Sequence, residues 1–276
     1  MAQFRQNGFQ QIPLIVKNLL IINILVFLIH QAFDARGVLI AGSSFEDLFA
    51  LHYWQSPKFR WWQLFTHMFM HANLMHIFFN MFGLWMFGRI LEEVLGAQRF
   101  LIFYLICGLG GAFCHLGVLT YEYAGFNNAF MQYQSHPGLP AFMDFIKRYH
   151  IGVDPKSMQG WISDPSSILE IQDSIRFLHD HYLVMTNEAM LGASGAVMGI
   201  LFGFGYLFPN TELYIYFIPI PIKAKWVVAG YAVLELTQGV YNSSGDNVAH
   251  FAHLGGMLFA FILLRIWKNK LRNRYY

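Results

Sequence analysis

Long apolar runs with almost no charged residues constrain this chain most strongly. A helix of about 20 residues crosses the hydrocarbon core of a bilayer, and six runs approach that length. They lie near residues 14–33, 67–88, 100–121, 191–208, 226–243 and 248–267. Only helices and closed barrels satisfy backbone hydrogen bonds in lipid, and such continuous runs exclude the alternating pattern of a barrel. The sequence therefore predicts an all-α membrane protein with six transmembrane helices.

The composition agrees with this fold class. Only 12% of the residues are charged and 56% are hydrophobic, whereas a soluble domain carries about 25% charged residues. The net charge of +2 comes mostly from the basic C-terminal tail, which predicts contact with lipid headgroups and not with nucleic acid. Cys107 and Cys114 are two turns apart on one predicted helix, too far to bridge, so we expect free thiols.

Lysine and arginine are concentrated before the first run, after the last run and in alternate loops between them. By the positive-inside rule, this distribution places both termini in the cytoplasm. The first run lacks a convincing cleavage site, so we interpret it as a retained signal anchor and not as a removed signal peptide. The loop at 34–66 is then outside the cell membrane, and its many tryptophan and tyrosine side chains favour the membrane interface.

The segment at 122–188 differs from the rest of the chain, because it holds half of the acidic residues. Apolar residues at three- and four-residue steps predict amphipathic helices near 140–150 and 165–185. Asp164 is the expected N-cap of the second helix, with Pro165 at its first position.

These features divide the chain into three parts. The first, 1–121, holds transmembrane helices 1–3 with the aromatic loop. The second, 122–188, is a helical extramembrane insert, and the third, 189–276, holds transmembrane helices 4–6 with the basic tail. The insert either packs without a chemical role or caps a site and restricts which substrates reach it.

Ser194 lies at the start of the fourth run, within Gly192-Ala193-Ser194-Gly195. A tight turn into a helix leaves the first backbone N–H groups without acceptors, and these donors can hold an oxyanion. Gly195, Gly199 and Gly203 recur every four residues, a stripe that lets another helix approach closely. Ser194 is therefore a candidate nucleophile, with a small packing residue as the alternative interpretation.

His253 lies in the sixth run, within Ala252-His253-Leu254-Gly255-Gly256. Small residues follow it on the same helical face, so that face can pack on the glycine stripe and bring the imidazole to the hydroxyl of Ser194. Serine needs such a base, because it is a poor nucleophile at its free pKa. His250 is a rival base, and a hydrogen-bonded core histidine is the structural alternative. No aspartate is obvious as an orienting third member, so we expect a dyad and not a triad.

His76 and Asn80 are four positions apart and project from one helical face. Their side chains can donate hydrogen bonds to the carbonyl oxygen of a scissile peptide. The rival interpretation is zinc, because His67 and His71 have the spacing of H-E-x-x-H. Met68 replaces the glutamate that this motif uses as a general base, so we expect no metal.

Glu235 lies inside the fifth run. A carboxylate within a membrane helix faces the bundle interior or water. We expect it either to make structural hydrogen bonds or to take part in gating.

Together these motifs resemble those of the rhomboid family of intramembrane serine proteases. The resemblance rests on the segment from His71 to Asn80, on Gly192–Gly195, and on Ala252-His253 with Gly256, in the family's order on the expected spans. It implies a rhomboid-like bundle of the bacterial type, with an enlarged loop between the third and fourth helices. It does not cover the insert.

The resemblance also implies roles for individual residues. Ser194 is the nucleophile and His253 the general base and acid, while His76, Asn80 and the Ser194 N–H form the oxyanion hole. The residues expected to support the site are His71, Gly192, Gly195, Gly256 and Met198. Three positions depart from the family. Trp62 is followed by Gln63 where arginine is common, and Met198 replaces an often aromatic residue that stacks on the histidine. The last small residue of the glycine pattern after the histidine is Ala260.

The implied activity is that of a serine endopeptidase that cleaves peptide bonds in or next to transmembrane segments. It requires no cofactor and no metal, its partners are transmembrane protein substrates and the lipid bilayer, and its site opens to the outside of a bacterial inner membrane. The alternative is a non-catalytic rhomboid-like protein that binds client transmembrane helices. A transporter would show inverted repeats, and the sequence contains none that we find.

Overall fold

The structure is a computed structural model that describes residues 12–165, 167–214, 220–241 and 249–275. Residues 1–11 and the side chains of the basic tail after Trp267, both used in the topology prediction, lie outside the described part. The described elements are helices joined by short turns, with four two-residue strands. In chain order they are α1 (Leu14–Asp34), α2 (Phe45–Phe49), β1 (Leu51–His52), α3 (Gln63–Thr66), α4 (Leu74–Gly83), α5 (Arg89–Leu95), α6 (Ala97–Ser135), α7 (Leu139–Arg148), α8 (Gln159–Ser163), α9 (Ile168–Asn187), β2 (Ala189–Met190), α10 (Ser194–Leu207), β3 (Glu212–Leu213), β4 (Ile222–Lys223), α11 (Ala224–Tyr241) and α12 (His250–Tyr275).

Four helical stretches among the described residues are long and apolar enough to cross a membrane. They are α1, Leu74–Leu95, α6 and His250–Trp267. The other two predicted runs are helical as well. However, α10 has only 14 residues, about 21 Å of rise, and α11 has 18 residues and carries Glu235. The predicted all-α membrane bundle is confirmed.

The second membrane helix begins at Leu74, seven residues later than the predicted run at 67–88. The side chain of Asn73 accepts a hydrogen bond from the backbone N–H of His76 at 2.9 Å, which caps this helix. His67 instead belongs to a 3₁₀ turn that ends at Phe69. The prediction of one continuous helix through this region was therefore wrong, because the Asn73 cap starts a new helix within the run.

Helices α6, α10 and α12 pack closely in the centre of the bundle, at positions where glycine removes the side chain. A Cβ on Gly256 would overlap the carbonyl oxygen of Gly195, and a Cβ on Gly111 would lie 2.6 Å from the carbonyl oxygen of Ala252. At Gly199 an added Cβ would meet the carbonyl oxygen of Gly256 at 3.0 Å. The predicted contact between the glycine stripe and the His253 helix is thus confirmed.

A second hydrophobic core is formed by the end of α6 together with α7, α8 and α9. It is built around Leu178 on α9, which is fully buried, and its other buried members include Phe126, Phe145 and Trp161. Helices α7 and α9 match the two predicted amphipathic helices.

Two details of this segment differ from the prediction. The N-cap of α9 is Ser167, whose hydroxyl accepts from the backbone N–H of Glu170, and not Asp164. In addition, α6 continues without a break through Glu122 to Ser135. Phe126 lies on the last turns of this membrane helix and packs in the second hydrophobic core.

The loop between α1 and α4 is organised by Gln63, which is fully buried. Its amide Nε2 donates to the carbonyl oxygens of Asp47 and Lys58 at 2.9 and 3.0 Å, and its Oε1 accepts from the backbone N–H of Arg60 at 3.0 Å. Oε1 also accepts a hydrogen bond from the backbone N–H of His52 at 3.4 Å, so Gln63 bonds four backbone groups of this loop. The guanidinium of Arg60 bonds only exposed carbonyls nearby.

This loop also contacts the segment that leads to Ser194. Strands β1 and β2 pair antiparallel, and His52 Nδ1 lies 3.0 Å from the carbonyl oxygen of Asn187. Lys58 Nζ lies 2.8 Å from Asp47 Oδ1. Burial alone would raise the pKa of Asp47, but the hydrogen bond and positive charge of Lys58 lower it below its ordinary value. The loop is therefore tied to the segment that leads into α10.

We expect Gly256→Ala to destabilise the bundle by about 1–3 kcal/mol, because the added methyl group overlaps the backbone of α10 and the core cannot absorb it. The measurement is thermal or denaturant unfolding of the detergent-purified protein. Gly117→Ala on α6 is the matched control, since a Cβ there meets nothing within 4 Å and alanine favours a helix by roughly 1 kcal/mol over glycine. Equal stability of the two variants would contradict the close helix crossing.

Candidate active site

Ser194 and His253 are 59 positions apart in sequence, and the fold brings their side chains into contact. His253 Nε2 lies 2.8 Å from Ser194 Oγ. Ser194 is the first residue of α10, and His253 lies in the first turn of α12. Since the two helices cross at glycine contacts just beyond these residues, the hydroxyl and the imidazole meet at hydrogen-bond distance.

The turn before Ser194 requires glycine. Gly192 has φ +134°, a conformation that L side chains rarely adopt, and its N–H donates to the carbonyl oxygen of His67 at 2.9 Å. A Cβ at Gly192 would lie 2.7 Å from His76 Nε2 and 3.6 Å from Ser194 Oγ. The absence of a side chain therefore lets the His76 ring lie directly beside the turn that carries the serine.

Possible oxyanion donors surround this turn. Helix α10 begins without a side-chain cap, so its first N–H groups are available to a ligand. Asn80 lies one turn after His76 on α4, and its Nδ2 donates to the carbonyl oxygen of His76 at 3.1 Å. The amide must rotate away from this bond to reach a substrate, whereas the His76 ring is already beside the serine.

A cavity of about 1030 Å³ adjoins the serine–histidine pair. Both residues line it, together with His76, Asn80 and Met198. The same cavity extends to residues at both ends of the insert. Its lining there includes Tyr123, Glu122, Met185 and Glu188. A substrate segment in the cavity would therefore contact both the membrane bundle and the insert.

The expected supporting residues lie near the pair. His71 is fully buried, and its ring packs edge-on against His76 with centroids 5.1 Å apart. Met198 is one turn after Ser194 and lines the cavity. Gly195 and Gly256 form the helix crossing described above. Of the expected supporting residues, Gly192, Gly195 and Met198 line the cavity, while His71 and Gly256 contact residues that line it.

A carboxylate also lies beside the histidine, which sequence reasoning did not anticipate. Glu235 Oε2 is 3.0 Å from His253 Nδ1 and 2.7 Å from His250 Nδ1. All three side chains are buried. One signal was present in the sequence: Glu235 is the only acidic residue of the fifth run, and a carboxylate in a membrane helix needs a partner. His115 on α6 was also missed, although it lines the cavity.

The predicted zinc alternative at His67 and His71 does not assemble among the described residues. His67 Nδ1 lies 2.9 Å from the carbonyl oxygen of Gln63, and the two histidines do not share a helix. Within the described part of the chain, three potential ligand atoms lie within 4.8 Å of one another only at Glu235, His250 and His253. The 2.7 Å separation of His250 and Glu235 is that of a hydrogen bond.

We expect Gly192→Ala to suppress the reactivity of Ser194 toward a fluorophosphonate probe by more than about tenfold. The methyl group would collide with His76 Nε2, and the backbone strain costs about 1–3 kcal/mol. Gly42→Ala is the matched control, because Gly42 also has a positive φ of +84° but a Cβ there meets nothing within 4 Å. Equal labelling of the two variants would show that the tight contact at Gly192 is unimportant.

Comparisons with known proteins show which family and which relatives the chain resembles. A family model described as the Rhomboid domain matches residues 58–131 and 174–269. RHOMBOID-like protein 12, mitochondrial, of Arabidopsis thaliana is 30% identical over 212 residues, 76% of this chain and 47% of that protein. An uncharacterized mitochondrial rhomboid protein of Schizosaccharomyces pombe is 28% identical over 217 residues, 76% of this chain and 53% of that protein. The rhomboid protease GluP of Bacillus subtilis is 35% identical over 69 residues, 25% of this chain and 14% of that protein.

The matched ranges contain the motifs around His76, Ser194 and His253, and they leave out most of the insert. The chain spans about half the length of the first two relatives. Its apolar helices and these relatives make it an integral membrane protein. Because the family model covers more than half of its 276 residues, this chain belongs to the rhomboid family.

Proposed function

We propose that this chain is an intramembrane serine protease in which Ser194 is the nucleophile and His253 the general base. The observation that carries the proposal is the 2.8 Å contact between Ser194 Oγ and His253 Nε2. A serine hydroxyl becomes an effective nucleophile when a base at this distance removes its proton. The non-catalytic alternative, which holds client helices, needs the cavity but not this contact.

The geometry supports a two-step acyl transfer. His253 Nε2 takes the hydroxyl proton as Ser194 Oγ attacks the carbonyl carbon of the peptide. His76, Asn80 and the Ser194 N–H donate to the resulting oxyanion. The protonated histidine then gives its proton to the leaving amine, and the C–N bond breaks. Water, deprotonated by the same histidine, hydrolyses the acyl-enzyme and releases the acid product.

Access from the lipid is proposed between α4 and α11. Phe79 on α4 and Tyr231 on α11 both line the catalytic cavity, and both are exposed on the bundle surface. Helix α11 packs mainly on α10 and α12. A substrate helix that enters here must unwind at the cleaved bond, because helical carbonyl oxygens are already hydrogen-bonded.

The first loop, the insert and the active site lie on one side of the membrane in this proposal. The pairing of β1 with β2 joins the loop to the segment that precedes Ser194. We propose that the site opens to this side and that both termini face the other. The comparisons do not support the expected bacterial inner membrane, because the two relatives that align over 76% of the chain are mitochondrial.

We expect a fluorophosphonate probe to label the detergent-purified wild type and to leave Ser194→Ala and His253→Ala unlabelled. Ser135→Ala is the matched control, because Ser135 also contacts a histidine, at 3.0 Å, but is exposed. That variant should label like the wild type. A folded wild type that resists the probe, or labelling that persists in Ser194→Ala, would contradict the assignment.

We expect Asn80→Ala to lower kcat for a fluorogenic single-span peptide by about 10²–10³-fold, the effect of removing one amide donor from an oxyanion hole. KM should change little, since the amide acts on the oxyanion and not on the ground state. Asn23→Ala is the control, because the Asn23 side chain also bonds the carbonyl oxygen four residues earlier, at 2.7 Å, but lies on α1. If the two variants have equal kcat, Asn80 is not an oxyanion donor.

A further inference from the structure

The second ring nitrogen of His253 lacks an aligned partner. Nδ1 is buried and makes no hydrogen bond in the described structure. A neutral imidazole carries one proton, and Nε2 accepts the Ser194 proton only when the ring proton is on Nδ1. A buried N–H group of this kind requires an acceptor. Glu235 Oε2 lies 3.0 Å from Nδ1, at an angle outside hydrogen-bond geometry.

Glu235 is itself held in place by the neighbouring turn of α12. Glu235 is 5% exposed, and a carboxylate inside a membrane helix is costly without a partner. His250 Nδ1 lies 2.7 Å from the same oxygen that faces His253. One carboxylate oxygen therefore lies between two imidazoles that are three positions apart on α12. The contact with His250 gives the Glu235 carboxylate a hydrogen-bonding partner and keeps it close to His253.

We propose that Glu235 is a positioning residue for His253. Its carboxylate accepts a hydrogen bond from the Nδ1–H group after a small rotation, and so holds the ring with Nε2 toward Ser194. When Nε2 takes the serine proton, the negative charge beside Nδ1 stabilises the imidazolium that forms. This inference deepens the proposed function and rests on it. The site is then the expected pair of Ser194 and His253, with the histidine oriented by a carboxylate inside the membrane.

Among the described residues, the other titratable side chains that face this pair carry no negative charge near neutral pH. They are His250 on α12, Tyr231 on α11, His76 on α4 and His115 on α6. Helix α10 contributes Ser194 itself. Removal of the Glu235 charge is therefore expected to act on His253 without compensation from these neighbours.

The test is Glu235→Gln, which keeps the size of the side chain and removes its charge. We expect kcat for the fluorogenic single-span peptide to fall at least about tenfold, with little change in KM. In the pH profile of kcat/KM, the acid limb should move to lower pH by about one unit, because the His253 imidazolium loses the negative charge beside it. A purely structural role would lower the amount of folded protein and leave that limb in place.

Glu92→Gln is the matched control. Glu92 is another buried carboxylate, and it accepts from the backbone N–H groups of Ile15 and Val16 at 3.0 and 2.8 Å, so it caps α1 far from the cavity. We expect this variant to be less stable but to keep the wild-type kcat and acid limb per folded molecule. An acid limb that shifts equally in both variants would overturn the inference.

Glu235→Asp covers the case in which the glutamine variant does not fold. Its shorter side chain keeps the charge but moves it away from Nδ1, so kcat should fall severalfold at unchanged KM. Wild-type kcat in this variant, or in a folded Glu235→Gln with an unchanged acid limb, would overturn the inference while the Ser194 assignment stands. If the wild type shows no turnover that depends on Ser194, the proposed function fails and this inference fails with it.

Discussion

The close crossing of α10 and α12 is the constraint on which the rest of the site depends. Gly195 and Gly256 leave no room for a side chain between the two backbones. Ser194 and His253 each stand near the start of one of these helices, a single turn or less from the crossing. Because the helices are rigid at that point, their backbone separation fixes the distance between hydroxyl and imidazole. A methyl group at the crossing would therefore lower the stability of the bundle and change the distance between Ser194 and His253.

The apolar surroundings make every polar group of the site depend on its neighbours. A polar group that is buried in the bundle without a partner costs several kcal/mol. The polar side chains of the site therefore contact one another in series. Ser194 contacts His253, His253 faces Glu235, and Glu235 contacts His250. The tight turn at Gly192 adds His76 from the opposite helix. Such a network fixes the positions of the Ser194 hydroxyl and the His253 ring.

The features that could be predicted from the sequence are those with a local signal. Apolar runs indicated the helices, and the four-residue glycine period indicated the crossing that joins Ser194 to His253. The contact between Glu235 and His253 had no local signal, because it depends on how α11 is rotated about its axis. The start of the second membrane helix was missed because the Asn73 cap, and not hydropathy, decides it. The extension of α6 into the insert was missed because composition changes at Glu122 while the helix continues.

The central claim is that Ser194 cleaves a peptide bond within or beside a membrane span. It is tested most directly by reconstituting the purified protein in liposomes with a single-span protein that carries helix-weakening residues in its span, and by identifying the products by mass spectrometry. The account predicts two fragments whose new termini lie in or next to the span, and none with Ser194→Ala. An intact single-span protein with the wild type, or the same fragments with Ser194→Ala, would contradict it.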